Sequence, residues 1–191
     1  MRKLFFILLL LASQAGAEMD LPEGWDFYAS RPGLYAGGRN TEGAFSGQAS
    51  GVLRSRQHAT AKEHALLVQK LSAEEYRGFR MELSGSLKTS EVSGWAGLWV
   101  RVDDVDGNVL EFHNMMDTPV RGTTGWTRHT VSFDVPAEAF EIHFGALLAG
   151  EGEMGVDSLL LRRLGGTRPA STLKQKIRSL PLQPRNLDFE Q

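Results

Sequence analysis

The sequence predicts an all-β domain built as a sandwich of two antiparallel sheets. From residue 19 to residue 165 the chain consists of short alternating runs, separated by Gly, Pro, Asp and Asn at the spacing of β-proteins. No helical period extends over a long stretch, and no internal repeat is evident. Roughly eight or nine such runs favour a jelly-roll β-sandwich.

Residues 1–17 have the pattern of a signal peptide. Arg2 and Lys3 precede an apolar run over residues 4–12, and Ala-Gly-Ala at residues 15–17 fits a signal peptidase site. The apolar run is too short to span a bilayer, so no stable membrane anchor is expected after cleavage. We therefore expect an exported protein, either periplasmic or secreted.

The amino-acid composition excludes some kinds of anchor and partner. The chain has no cysteine, so a lipoprotein anchor is excluded and no disulfide can stabilise the fold. A structural metal therefore deserves consideration. The net charge of −2 becomes more negative once Arg2 and Lys3 are removed. A nucleic-acid partner is therefore not expected, because such partners normally require a basic surface.

Alternation and turn residues place the elements in order. The sandwich covers 18–164, a linker with a short basic amphipathic segment covers 165–180, and a C-terminal segment covers 181–191. Ser72 followed by acidic residues predicts a helical turn, and D-V-D-G-N at 104–108 predicts a hairpin turn. Loops are expected at 21–35 and 118–126. Strands are expected at 46–56, 65–71, 79–89, 94–104, 109–116, 127–135, 141–150 and 154–164.

The strand at 94–104 is the centre of the prediction because both of its faces are distinctive. One face is ordinary core: Ala96, Leu98, Val100 and Val102. The other carries Trp95, Gly97, Trp99 and Arg101. The second face is either a minor core covered by a loop such as 118–126, or an open binding face.

Neighbouring strands supply polar residues to that second face. Leu110 and Phe112 are expected to point inward, which would place Glu111 and His113 outward. Aromatic side chains stack on the apolar faces of sugars, and charged groups hydrogen-bond the ring hydroxyls. The candidate carbohydrate-binding residues are Trp95, Trp99, Arg101, Glu111, His113, Arg128 and His143.

Several segments in this order resemble a known bacterial domain. They are Y-R-G at 76–78, L-K-T at 87–89, G-W-A-G-L-W-V-R-V-D at 94–103, N-M-M-D-T-P-V-R-G-T-T-G-W at 114–126, D-V-P at 134–136 and H-F-G-A-L-L-A-G-E-G at 143–152. The chain is similar here to galactose-binding-like jelly-roll domains, which are built like carbohydrate-binding modules. Such domains occur alone or attached to bacterial regulators, esterases and peptidases. The resemblance implies the fold far more strongly than a function.

The chain departs from that family at its ends. An N-x-x-F-E motif usually precedes P-x-G-W in such domains, whereas N-L-D-F-E here lies at 186–190 and P-E-G-W at 22–25. The segment is either a permuted first strand or a remnant of a second domain. The resemblance implies a structural calcium held by Glu190 and Asp157. The alternative is that both are solvated acidic residues.

Catalytic motifs are absent from the sequence. It contains no G-x-S-x-G, no H-E-x-x-H and no P-loop. Glu111, His113 and His143 could bind a transition metal if the fold brought them together. The sequence therefore predicts a non-catalytic binding module for a carbohydrate-like ligand. The alternative is a protein-interaction or assembly module that acts through the basic segment from Leu173 onward.

Overall fold

The computed structural model describes residues 19–166 and 180–191. The predicted signal peptide and nearly all of the predicted basic segment lie outside these ranges. The described residues form nine strands, which are β1 (Asp26–Ala29), β2 (Tyr35–Asn40), β3 (Ser50–Ser55), β4 (His64–Ser72), β5 (Phe79–Asp103), β6 (Val109–Asn114), β7 (Val120–Asp134), β8 (Glu141–Ala149) and β9 (Glu153–Gly166). Within these ranges, no helix is long and apolar enough to cross a membrane.

The long strand β5 belongs to both layers of the sandwich. Its residues 95–103 pair with β8, and residues 99–103 also pair with β6. Its residues 79–90 pair with β9, while β7 pairs along most of the strand. The first sheet therefore has the order β1-β4-β8-β5-β6, and the second has the order β7-β5-β9-β3-β2. All of these pairings are antiparallel, which confirms the predicted jelly-roll sandwich.

The predicted core face of the central strand is confirmed. Ala96, Leu98, Val100 and Val102 are fully buried. They pack in one cluster with large apolar residues of both sheets, including Leu83, Leu87, Phe133, Ile142 and Phe144. Apolar burial of this kind is the main stabilising term in folding.

Two local predictions hold at the level of hydrogen bonds. The Glu74 amide donates to Ser72 Oγ at 3.2 Å, as an N-cap requires, and a single turn follows. In the hairpin after β5, the amides of Asp106 and Asn108 both donate to Asp104 Oδ1 at 2.9 Å. The Asn108 bonds lower the pKa of the Asp104 carboxyl.

Other elements differ from the prediction. The strands expected at 79–89 and 94–104 are one strand that bends near Glu91, whose φ is 54°. Most of the predicted loop 118–126 is the exposed start of β7, which lies at a sheet edge and so lacks alternation. Strands β1 and β2 lie largely within or just after the loop expected at 21–35. The glycines of β2 mark close packing there, since a Cβ at Gly38 would lie 2.6 Å from Met19.

The C-terminal segment docks on the sandwich without forming a strand. The Phe189 ring is fully buried and lies 4.8 Å from the Trp25 ring. Trp25 Nε1 donates to the Asn186 carbonyl at 3.0 Å, and the Leu159 amide donates to the Leu187 carbonyl at 3.0 Å. The segment therefore completes the core beside the P-E-G-W turn, whether or not it is a permuted strand.

Candidate functional site

The outer face of the first sheet carries several of the predicted ligand-binding residues. Trp95, Trp99 and Arg101 of β5 point away from the core, and the ladder pairs Arg101 with His143 of β8. Residues directly opposite in an antiparallel ladder share a face. Four of the seven predicted ligand-binding residues therefore lie on one face.

Both tryptophans on this face are covered. Trp95 is 8% exposed and Trp99 is 6% exposed. Between them in the strand, Met115 packs on Gly97: a Cβ at Gly97 would lie 2.6 Å from the Met115 Cβ, so only glycine admits this contact. Met115 comes just before the predicted covering loop 118–126. In this conformation the two indoles form a minor core rather than open stacking platforms.

Trp99 keeps one unusual polar atom. Its Nε1 is buried and has no hydrogen-bond partner among the described residues. Buried indole N–H groups normally find a partner, because desolvating a donor without a bond costs about 1–3 kcal/mol. This part of the face therefore retains an unused donor beneath its cover.

A compact charged cluster occupies the end of the same face. Arg101 donates to Asp103 Oδ2 from Nε at 3.0 Å and from Nη2 at 2.6 Å. His143 Nε2 lies 3.0 Å from Glu141 Oε1 and 3.5 Å from Asp103 Oδ2. The Arg101 side chain remains 39% exposed, whereas the Asp103 side chain is 1% exposed. A surface cation is therefore held in one position by a buried carboxylate.

Sequence reasoning did not include Asp103 and Glu141 in this cluster. They oppose each other in the ladder between β5 and β8. The sequence held one signal, which was the spacing of two residues in Arg-x-Asp at the end of β5 and in Glu-x-His at the start of β8. Residues two apart in a strand lie on the same face. Only the register between the two strands shows that these pairs meet.

The partner strand β6 follows the prediction only at Leu110, which packs against the core, and residues 111–113 are oriented opposite to it. Phe112 faces Arg101 and is 54% exposed, while Glu111 and His113 oppose Val102 and Val100. The prediction was wrong because the register shift between Val102 and Asp103 cannot be seen in the sequence. An exposed phenyl ring therefore stands beside the fixed guanidinium.

Glu111 and His113 consequently lie on the other side of the sheet from Arg101. His113 Nε2 lies 2.9 Å from Glu111 Oε2, and both side chains are about one-third exposed. The sequence-based metal set of Glu111, His113 and His143 is thus divided between two faces of the sheet.

Arg128 lies on β7 beside the part of β5 that belongs to the second sheet, and not beside this cluster. It opposes Ser86 in the pairing of β5 with β7. Its Nη2 donates to Ser84 Oγ at 2.7 Å. Arg128 therefore hydrogen-bonds within the second sheet and does not belong to the candidate site.

The residues implied for calcium form a different structure. Asp157 Oδ2 accepts hydrogen bonds from the backbone amides of residues 45 and 46, at 2.9 and 3.0 Å. Glu190 Oε1 accepts from the amides of residues 48 and 49, at 2.7 and 3.1 Å. Neither residue is a free solvated acid, since each binds this loop.

This donor set does not fit calcium. Calcium requires six to eight oxygen ligands directed at one point. Here N–H donors occupy Asp157 Oδ2 and Glu190 Oε1, and the Lys88 ammonium donates to the Gly43 carbonyl of the same loop at 2.7 Å. The two carboxylates hold loop 41–49 against the sandwich by charge-assisted hydrogen bonds.

The strand order and the antiparallel pairing define the fold of the domain. The chain has an antiparallel jelly-roll sandwich fold that is shared by carbohydrate-binding modules. The CBM22-1 xylan-binding domain of Paenibacillus barcinonensis Xyn10C aligns with a TM-score of 0.53 at 17% identity, covering 78% of this chain and 92% of that one. The enzymatically active domain of bacteriophage CBA120 tailspike protein 4 aligns at 0.56 and 13%, covering 80% and 21%. At these identities the likeness establishes the fold alone.

One curated relative is closer in sequence. An uncharacterized HTH-type transcriptional regulator of Bacillus subtilis, YbfP, is 34% identical over 169 residues, which is 88% of this chain. This chain spans 57% of that relative's length. No protein-family model matches the sequence. The alternative function, a protein-interaction module, depends mainly on the basic segment from Leu173, nearly all of which lies outside the described residues.

Proposed function

We propose that this chain is an exported, non-catalytic binding module for a carbohydrate-like ligand. The ligand site is the outer face of the first sheet, around Arg101 and Phe112. The observation that carries the proposal is the fixed Arg101 guanidinium with the exposed Phe112 ring directly opposite it in the ladder. Export is supported by the signal-peptide pattern of residues 1–17.

The chemistry of the pair suits a sugar. A half-exposed phenyl ring offers roughly 100 Å² of apolar surface, worth about 2.5 kcal/mol when a pyranose face covers it. A hydroxyl that accepts from Arg101 adds about 1.5–3 kcal/mol. Because Asp103 already fixes the guanidinium, little side-chain entropy is lost when the ligand binds.

The magnitude favours an oligosaccharide over a single sugar. These two contacts together give about 4–5.5 kcal/mol, which barely exceeds the smallest estimates of the cost of association, about 4 kcal/mol. The same face continues across β8 and β4 to Tyr28 of β1, which is 52% exposed. Five strands at about 4.8 Å spacing make the face roughly 20 Å wide. A ligand that reaches both Phe112 and Tyr28 gains a second aromatic contact.

A glycan panel tests the proposal. The protein is titrated by calorimetry with mono- and oligosaccharides, and Phe112→Ala is compared with Leu160→Ala. Leu160 is a matched control because it is 46% exposed on the second sheet. We expect saturable oligosaccharide binding that Phe112→Ala weakens at least tenfold and Leu160→Ala leaves intact. Absence of binding across the panel, or equal affinity in Phe112→Ala, would refute the proposed site.

A further inference from the structure

We infer that Asp103, Glu141 and His143 form a binding site for a small divalent transition-metal ion such as Zn²⁺. The site goes beyond carbohydrate binding and does not depend on it. Within the described residues, these three form the one group of His, Asp and Glu whose potential ligand atoms all lie within 4.8 Å of one another.

The sheet brings the three residues together. Asp103 and Glu141 are direct ladder partners on β5 and β8, and His143 follows Glu141 by two residues on the same face. Rigid strands hold such positions more precisely than loops do. The His143 and Glu141 side chains are only 10% and 11% exposed, so solvent competes little for their ligand atoms.

The separations match a small ion. Tetrahedral zinc with bonds of about 2.0–2.2 Å places neighbouring ligand atoms roughly 3.3–3.6 Å apart. His143 Nε2 lies 3.0 Å from Glu141 Oε1, and the potential ligand atoms of all three residues lie within 4.8 Å of one another. Side-chain shifts of about 1 Å therefore bring the three atoms to that separation. An imidazole with two carboxylates suits zinc or its neighbours better than calcium or magnesium, which prefer oxygen ligands alone.

A second observation points to a ligand at this place. Asp103 Oδ1 is buried and has no hydrogen-bond partner among the described residues. Its side chain is 1% exposed, and a buried carboxylate with one unsatisfied oxygen is costly. A metal bound to Oδ1 would satisfy that oxygen. Arg101 would keep its bonds to Oδ2, the outer-shell role that orients a metal-binding carboxylate.

The chain also contains a matched control. Glu111 and His113 repeat the Glu-x-His spacing on β6, with Nε2 and Oε2 2.9 Å apart. In the described structure they do not belong to a three-residue group, and they lie on the opposite side of the sheet. A histidine paired with a glutamate is therefore present without the third ligand.

Calorimetry with ZnCl₂ alone tests the inference on untagged protein that has been stripped with chelator and dialysed. We expect one saturable site, weakened about 10- to 100-fold in His143→Gln and in Asp103→Asn but unchanged in His113→Gln. Thermal unfolding of each metal-free variant is measured alongside, so that a folding defect is recognised. Substituting Co²⁺ should give visible absorption bands of four-coordinate cobalt in wild type and not in His143→Gln.

Two outcomes would overturn the site. One is the absence of saturable Zn²⁺ binding to folded wild-type protein. The other is a loss of affinity that is equal in His113→Gln and His143→Gln. Neither result bears on carbohydrate binding, which is titrated in chelator and judged by Phe112→Ala.

Discussion

Replacing Phe189 by alanine tests whether the C-terminal segment completes the core. The Phe189 ring is fully buried, packs on Trp25 and belongs to the main apolar cluster. A Phe→Ala change in a core costs about 3–5 kcal/mol, because apolar burial is lost and a cavity remains. For a domain of this size each kcal/mol lowers the Tm by about 2–4 °C. We therefore expect the Tm to fall by roughly 6–20 °C.

The assay is thermal unfolding followed by circular dichroism, with Leu182→Ala as the control. Leu182 lies in the same segment but is 47% exposed, so its truncation should change the Tm by less than about 2 °C. A loss below about 3 °C in Phe189→Ala would mean that the ring does not occupy the core. Equal losses in the two variants would show that the segment contributes without specific packing.

Three further outcomes are expected. Met115→Ala should uncover the two tryptophans on the outer face of the first sheet, which acrylamide quenching of fluorescence would detect as an increase; unchanged quenching would contradict the cover. Burial lowers the pKa of His129 below its ordinary value near 6.5, so the unfolded chain takes up the proton first and stability falls as the pH drops through that range. Urea unfolding at pH 7.5 and 5.0 should show this fall, and His129→Gln should reduce it. Asp157→Ala should lower the free energy of unfolding by about 2–4 kcal/mol and speed proteolysis of loop 41–49. Added calcium should leave the Tm of the wild type unchanged, and a calcium-dependent Tm would contradict the hydrogen-bonded loop.

The sequence predicts the parts of the fold that depend on alternation and local turn chemistry. The buried side of residues 94–104, the cap at Ser72 and the hairpin after Asp104 all follow from such local rules. Strand β2 escapes prediction because Gly37 and Gly38, which permit close packing, have the same appearance as loop residues.

The candidate site depends on register, which is a property of two strands and not of one. Arg101 and His143 each alternate correctly in the sequence, and the ladder then places them opposite each other. Phe112 cannot be assigned in this way, since the register shift at the end of β5 leaves Leu110 against the core and reverses residues 111–113 relative to the expectation. The burial of the two tryptophans is equally non-local, because Met115, which follows β6, packs on Gly97 between them in the strand.

The contact between Trp25 and the C-terminal segment also has a kinetic consequence. Its hydrogen bond joins residues 161 positions apart, so the chain must close a very long loop before the bond can form. We expect contacts of that kind to form only after the folding nucleus. Their loss mainly accelerates unfolding and leaves the folding rate nearly unchanged. The contacts of residues 186–191 thus affect the unfolding rate of the native state more than its folding rate.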